Sequence, residues 1–214
     1  EQETASIVMR FEQVNAQVSS AVGAQGYSTV DVQACDTGLA SFVNGYNAIR
    51  KGDAKVALVG GVESLSRRLD VNIGAFGRSG ALASGDDPTR RNVLQADREG
   101  FRLGEGIAVA VLEDLEHAKA RGATILAEVT GVSKTVDGGT KPTELEAENI
   151  GHSLASAWVT RRLEEGEPVD ALPDVLVGHL TGTGYGDRVE PEGYRIAFGA
   201  KGILLIPIVA NKEG

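Results

Sequence analysis

Apolar residues recur along the chain with the spacing of helices in some segments and of buried strands in others. The clearest helix follows the only cysteine of the chain, Cys35. Its apolar positions are Leu39, Phe42, Val43, Tyr46 and Ile49. These positions form the i, i+3, i+4, i+7 stripe of an amphipathic helix. A β-rich run precedes Cys35 at residues 28–34, and an apolar run follows the helix at 55–61. The order predicts a βαβ unit with parallel strands and a right-handed crossover.

The same patterns predict the remaining elements. Helices are expected over residues 5–22 and 113–121, from about 143 to 163, and over 187–198. Strands are expected over residues 107–112, 125–132, 174–178 and 203–209. From residue 62 to 97 the periodicity weakens, and many glycine and arginine residues appear. This composition predicts a long, irregular segment.

Composition and charge exclude several classes of protein. The chain has 214 residues, of which 42% are hydrophobic and 28 are glycine. Such a chain is expected to be globular with many tight turns. Its 21 basic and 30 acidic residues give a net charge of −9. Nucleic acid is therefore not an expected partner, because nothing in the sequence resembles a basic stripe for a phosphate backbone.

The cysteine, the histidines and the apolar runs of the sequence bear on the localisation of the protein and on metal binding. A single cysteine rules out an internal disulfide and fits a reducing compartment. No apolar run reaches the roughly 18 residues of a membrane span, and the first residues do not resemble a signal peptide. A cytoplasmic protein without membrane association is the expectation. The three histidines and one cysteine lack metal-ligand spacing, so no metal is expected.

Cys35 is the first candidate for chemistry. It precedes the predicted helix directly, where the helix dipole and unpaired backbone N–H groups favour a thiolate. The same N–H groups could hold an oxyanion during acyl transfer. The alternative is that a lone cysteine is a small buried hydrophobe. Local sequence alone leaves both interpretations open.

Six motifs taken together resemble one family. They read ACDTG at 34–38, VGGVES at 59–64, DREGFRLGEG at 97–106, HAKARGA at 117–123, HLTGTGYGDRVE at 179–190 and IPIVANK at 206–212. In this order and spacing they resemble the β-ketoacyl-acyl-carrier-protein synthases of the thiolase superfamily, especially the elongating type of type II fatty-acid and polyketide synthesis. The resemblance covers nearly the whole chain but only about the middle half of a complete synthase.

This resemblance implies a fold and an assembly. The expected fold is a thiolase-like α/β sandwich, layered αβαβα with mixed sheets and incomplete at both ends. Residues 1–130 would belong to the half that carries the nucleophilic cysteine, and 131–214 to the half that carries the histidine and lysine. A homodimer working with acyl carrier protein is implied. No cofactor is expected in the chain, because phosphopantetheine arrives on the carrier protein.

The resemblance also implies a decarboxylative condensation and assigns its residues. Cys35 would hold the acyl chain as a thioester. His179 would donate a hydrogen bond to the malonyl thioester carbonyl, and Lys212 would support the charged network. Acidic residues of that network would be Asp187 and Glu190. The pantetheine arm would contact Thr181 and Thr183, and the malonyl pocket would be lined by Phe101.

Departures from the family pattern keep two other functions open. Leu180 replaces a glycine after the histidine, and leucine does not easily adopt a positive φ. Gly184 replaces a proline, and the family's second active-site histidine would lie beyond Lys212, so condensation by this chain alone is not expected. The alternatives are a thiolase-like acyltransferase that uses coenzyme A, and a non-catalytic ketosynthase-like subunit that dimerises.

Overall fold

Alternating helices and strands make up the part of the chain that the computed structural model describes, residues 11–65, 69–84, 93–138, 145–166, 172–199 and 204–207. The helices are α1 Phe11–Val22, α2 Thr37–Lys51, α3 Leu69–Arg78, α4 Leu115–Ala120, α5 Ala147–Glu165 and α6 Gly186–Phe198. The strands are β1 Val56–Glu63, β2 Gly106–Glu113, β3 Val175–Gly178 and β4 Leu204–Pro207. A 3-10 turn, Ala34–Asp36, leads into α2.

The chain divides into two compact units. The first comprises Glu1–Val62 and Ile107–Ala127, and the second comprises Glu63–Gly106 and Glu128–Gly214. Strands β1 and β2 pair in one sheet, and β3 and β4 pair in another. Each unit therefore combines helices with a sheet, which confirms the α/β class.

In the first unit, α2 covers one face of the β1–β2 sheet. Gly45 of α2 lies directly against Val59 of β1 and Leu112 of β2. The residues that alternate with these along the strands are exposed and apolar. They are Val56, Leu58 and Val62 on β1, and Ile107, Val109 and Val111 on β2. Apolar residues on both faces are typical of a sheet that is covered on both sides.

In the second unit, β3 and β4 run parallel, with Val175 opposite Leu204 and Gly178 opposite Pro207. Helices α5 and α6 approach each other closely at two glycines. A Cβ on Gly151 would lie 2.6 Å from Ile196 Cγ2, and one on Gly193 would lie 2.6 Å from Ile150 Cγ2. Side chains of any size at positions 151 and 193 would push the helices apart. This close packing holds α6 in place beside β3.

Most predicted elements are present. The helix after Cys35 is α2, and the apolar runs at 55–61, 107–112 and 174–178 correspond to β1, β2 and β3. The charged helix at 113–121 corresponds to α4, and the helix expected at 187–198 corresponds to α6. The described parts of 5–22, 143–163 and 203–209 correspond to α1, α5 and β4.

The predictions of two strands are wrong. Residues 28–33 have no regular secondary structure, so the βαβ prediction lacks its first strand. Asn44 Nδ2 instead donates to both carboxylate oxygens of Asp31, at 3.0 and 2.8 Å, so side chains tie this segment to α2. Residues 125–132 also form no strand, and Leu126 there is 93% exposed. An alternating pattern becomes a strand only where a neighbouring strand accepts its hydrogen bonds.

The irregular segment expected at 62–97 contains a helix, which corrects that prediction. Helix α3 spans Leu69–Arg78, and Phe76 on it packs edge to face on Phe101, with ring centroids 5.2 Å apart. Gly74 and Gly77 lower the intrinsic helix propensity of this stretch. Packing on a residue distant in sequence overrides that weak propensity. Among the helices the structure describes, none is both long and apolar enough to cross a membrane.

Candidate active site

Cys35 lies in an exposed turn at the start of α2. The preceding residue, Ala34, has a φ of +50°, and the Thr37 side chain holds this turn together. Thr37 Oγ1 accepts the Gln33 N–H at 2.9 Å and donates to the Ala34 carbonyl at 2.8 Å. An exposed thiol at a helix N-terminus can react with a large substrate. Its exposure argues against the interpretation of Cys35 as a buried hydrophobe.

Ser41 connects the first turn of α2 to β1. Its Oγ accepts the Gly60 N–H at 2.8 Å and lies 2.7 Å from the Gly38 carbonyl and 2.9 Å from the Gly60 carbonyl. The Ser41 hydroxyl therefore contacts both β1 and the first turn of α2. This contact fixes the helix that follows Cys35 on its sheet.

His179 lies directly after β3, in a loop held by two buried carboxylates of α6. Glu190 accepts the His179 N–H at 2.6 Å through Oε1 and the Leu180 N–H at 2.7 Å through Oε2. Asp187 accepts the Gly182 N–H at 2.9 Å and the Leu94 N–H at 2.7 Å. Asp187 is 6% exposed and Glu190 is 9% exposed. Buried carboxylates need such donors, and each charge-assisted bond stabilises the loop that it holds.

Tyr194, which no sequence motif singled out, completes this arrangement. Its hydroxyl donates to Glu190 Oε1 from one turn further along α6. Burial, and next the hydrogen bond to Glu190, raise the pKa of Tyr194 above its usual range. Asp187, Glu190 and Tyr194 follow the i, i+3, i+7 spacing of one helix face. This spacing is the sequence signal that could have identified the tyrosine.

Leu180 adopts a positive φ, the backbone conformation that is difficult for leucine. Its φ is +34°, and its side chain is 1% exposed. The left-handed region is unfavourable for a residue with a Cβ. Burial of the side chain and the Leu180 N–H bond to Glu190 offset this strain. The family's glycine is therefore not required for this turn.

Thr181 and Thr183 lie in the same loop. Their hydroxyl oxygens are 3.1 Å apart, and Thr183 Oγ1 accepts the Gly186 N–H at 3.1 Å. Thr183 thereby satisfies a backbone donor at the start of α6. Both side chains are only partly buried, so they remain accessible to a ligand.

Phe101 lies beside this loop in the second unit. The Gly100 N–H donates to the Gly182 carbonyl at 2.9 Å, and Phe101 forms a parallel bridge with Leu82. The second unit thus brings Phe101 together with the loop of residues 179–183 and its two carboxylates. Cys35 belongs to the first unit, and Lys212 lies outside the described residues. In the described ranges, no three His, Cys, Asp or Glu residues are placed to hold a metal ion.

Comparisons with known proteins point to one family. A family model described as "Beta-ketoacyl synthase, N-terminal domain" matches residues 8–118. The chain is 37% identical over 186 residues to a mitochondrial 3-oxoacyl-[acyl-carrier-protein] synthase of Arabidopsis thaliana, covering 85% of this chain and 39% of that protein. It is 34% identical over 191 residues to 3-oxoacyl-[acyl-carrier-protein] synthase 2 of Staphylococcus aureus, covering 88% and 45%. The chain therefore spans less than half the length of these relatives.

A solved structure gives the same result for the fold. It contains a type II PKS acyl-carrier protein in complex with its ketosynthase, bound to a hexaketide. The match has a TM-score of 0.79 at 25% identity, and it covers 94% of this chain and 49% of that one. This similarity confirms the thiolase-like α/β fold class.

Proposed function

Because the chain belongs to the β-ketoacyl synthase family, we propose that it functions in the condensing step of fatty-acid or polyketide synthesis. The reaction is a decarboxylative condensation of an acyl thioester with malonyl-acyl carrier protein. The observation that carries the proposal is the match over residues 8–118, which includes Cys35 in an exposed turn before α2. The relatives named as 3-oxoacyl-[acyl-carrier-protein] synthases support the same reaction.

In the first step, Cys35 accepts the acyl chain. Its thiolate attacks the carbonyl carbon of the acyl thioester, a new C–S bond forms, the C–S bond to the carrier breaks, and the carrier leaves as a thiolate that takes up a proton. Two features of the first unit support this role. The thiol is exposed, and Cys35 lies in the turn that directly precedes the N-terminus of α2. The positive end of a helix dipole stabilises both the thiolate and the oxyanion of the tetrahedral intermediate.

In the second step, malonyl carrier protein loses CO₂, and the electron pair of the broken C–C bond forms an enolate. The enolate carbon attacks the thioester carbonyl on Cys35, the C–S bond to Cys35 breaks, and the thiolate takes up a proton. In the proposal, the imidazole of His179 donates a hydrogen bond to the malonyl thioester oxygen as negative charge develops. Glu190 supports this role because it fixes the backbone N–H of His179.

The other assignments complete the proposal. Thr181 and Thr183 contact the pantetheine arm, and Phe101 lines the malonyl pocket. Asp187 and Glu190 form the acidic part of the network, for which their burial and backbone bonds are the support. Lys212 supplies the cation of the network on the strength of the family motif alone.

The proposal extends to organisation and partners. Residues 1–130 belong to the half that carries the nucleophile, and residues 131–214 to the half that carries His179 and Lys212. The protein is a cytoplasmic homodimer, and acyl carrier protein is its partner. The structural relative that holds its own acyl-carrier protein supports that choice of partner.

The test is intact-mass spectrometry of the 214-residue chain after incubation with a long-chain acyl-acyl carrier protein. Since Cys35 is the only cysteine, a single acyl adduct that is absent from Cys35→Ala would support the proposal. Iodoacetamide is the control, because it modifies any exposed thiol without an acyl site. Modification by iodoacetamide with no acyl adduct would contradict the proposed acyl-enzyme. Transfer from acyl-coenzyme A but not from the carrier would instead support the coenzyme A alternative.

A further inference from the structure

Three residues interlock around Glu190 next to His179. Gly178 ends β3, Leu180 follows His179, and Tyr194 projects from α6. A Cβ at position 178 would lie 2.6 Å from Tyr194 Oη and 3.1 Å from Leu180 Cγ. The tyrosine hydroxyl and the leucine side chain therefore occupy the space next to Gly178. Any larger residue at position 178 would displace one of them.

The Tyr194 hydroxyl acts on the carboxylate that holds the histidine loop. It donates to Oε1 of Glu190, the same oxygen that accepts the His179 N–H. The other oxygen, Oε2, accepts the Leu180 N–H. With the tyrosine present, three donors fix the plane of one carboxylate. Without it, Oε1 would lose the donor that comes from α6 itself.

The Tyr194 hydroxyl is a hydrogen-bond donor at neutral pH, because the usual pKa of a tyrosine is about 10. The residue is half-buried, and its burial and the Glu190 carboxylate raise the pKa of the phenol further. The phenol therefore stays protonated in alkaline solution as well. A hydrogen bond from a neutral donor to a carboxylate is among the stronger ones in proteins.

We propose that Tyr194 is a positioning residue that fixes the His179 loop through Glu190. Its effect on catalysis rests on the function proposed above, whereas its effect on the loop does not. Tyr194 is placed against the backbone of the loop and contacts the carboxylate, so it acts through His179 and not on substrate. Removal of its hydroxyl should therefore lower kcat for malonyl-carrier decarboxylation and leave KM unchanged.

The first experiment compares Tyr194→Phe with Tyr185→Phe. The control removes a hydroxyl that donates to the Leu145 carbonyl at 2.8 Å, at the start of the same helix. Hydrogen exchange of the His179 and Leu180 amides should become about 10-fold faster in Tyr194→Phe, since a bond to a charged group is lost. Both amides should be unaffected in the control. Unchanged exchange in a folded Tyr194→Phe protein would overturn the inference.

A second variant examines the same contact from the other side. Gly178→Ala places a methyl group against the Tyr194 hydroxyl and should also accelerate exchange of both amides. In the Tyr194→Phe background the methyl group meets no hydroxyl, so the added effect of Gly178→Ala should be smaller. Equal effects in the two backgrounds would overturn the interlocking. If Tyr194→Phe folds poorly, Gly178→Ala in the parent chain still tests the contact, because unchanged exchange of both amides there would overturn the inference.

The activity measurement separates the two proposals. If the parent chain decarboxylates malonyl carrier protein, kcat of Tyr194→Phe should fall about 10-fold at constant KM, by the same loss of one charge-assisted bond. Faster amide exchange with an unchanged kcat would overturn the positioning role. Faster amide exchange in a chain with no decarboxylation activity would support the loop contact and count against the proposed function.

Discussion

Leu180 combines a strained backbone with a well-buried side chain, and substitution separates the two effects. Its φ of +34° lies in the left-handed region, and its side chain is 1% exposed. Alanine at this position removes the buried atoms and keeps the strain. Glycine removes the same atoms, and it also relieves the strain because it has no Cβ. We therefore predict that the change from alanine to glycine costs less stability at position 180 than at a buried leucine position with an ordinary φ.

The magnitude follows from the burial and the backbone conformation. Truncation of a buried leucine to alanine costs about 3 kcal/mol in the free energy of unfolding. Glycine additionally loses one buried methyl group, which contributes about 0.8 kcal/mol. Relief of a left-handed conformation returns about 1–2 kcal/mol. Glycine also loses more conformational entropy on folding than alanine, which costs about 0.5–1 kcal/mol. These terms nearly cancel, so Leu180→Gly should be within about 1 kcal/mol of Leu180→Ala in stability, and both should be about 3 kcal/mol less stable than the parent.

The assay is urea denaturation of the two variants and the parent, followed by circular dichroism. Leu176 gives the matched control, because it is buried in β3 and has no positive φ. There no strain is relieved, so the lost methyl group and the entropy of glycine together should make Leu176→Gly about 1.5 kcal/mol less stable than Leu176→Ala. An equally large loss from alanine to glycine at position 180 would refute the argument from backbone strain.

Two further predictions concern the first unit. Hydrogen bonds from Arg121, at 2.7 and 2.6 Å, and next a hydrogen bond with His117 lower the pKa of Glu113 to about 2 from its usual 4.5. The resulting stabilisation is present above about pH 4.5 and is lost as the pH falls towards 2. Arg121→Met should flatten this part of an acid-unfolding curve, and an unchanged curve would contradict the assignment. Thr37→Val removes both hydrogen bonds that the Thr37 side chain makes in the Cys35 turn and should cost about 1–2 kcal/mol in urea denaturation. Thr37→Ser keeps the hydroxyl and should be close to the parent, so equal losses in the two variants would exclude the hydroxyl contact.

The sequence alone predicted the helices and strands whose buried side chains recur at a fixed spacing. The stripe after Cys35 predicted α2, and the apolar run at 107–112 predicted β2. These predictions succeeded because a helix or strand that covers a core must present apolar residues at its own spacing. The ordered motifs identified the family for a related reason. They specify residue types at positions where chemistry or tight turns limit the choice.

Only the tertiary structure decided which distant groups meet. Residues 28–34 have strand-like composition, yet the Asn44 bond to Asp31 ties part of this run to α2 and no strand forms there. Leu180 accepts a left-handed φ because its side chain is buried and Glu190 binds its N–H. Tyr194 matters because α6 brings its hydroxyl to the carboxylate that binds His179. A sequence pattern indicates which side chains are buried and at what spacing along the chain. Hydrogen-bond partners and backbone strain depend instead on contacts between segments that are far apart in the chain.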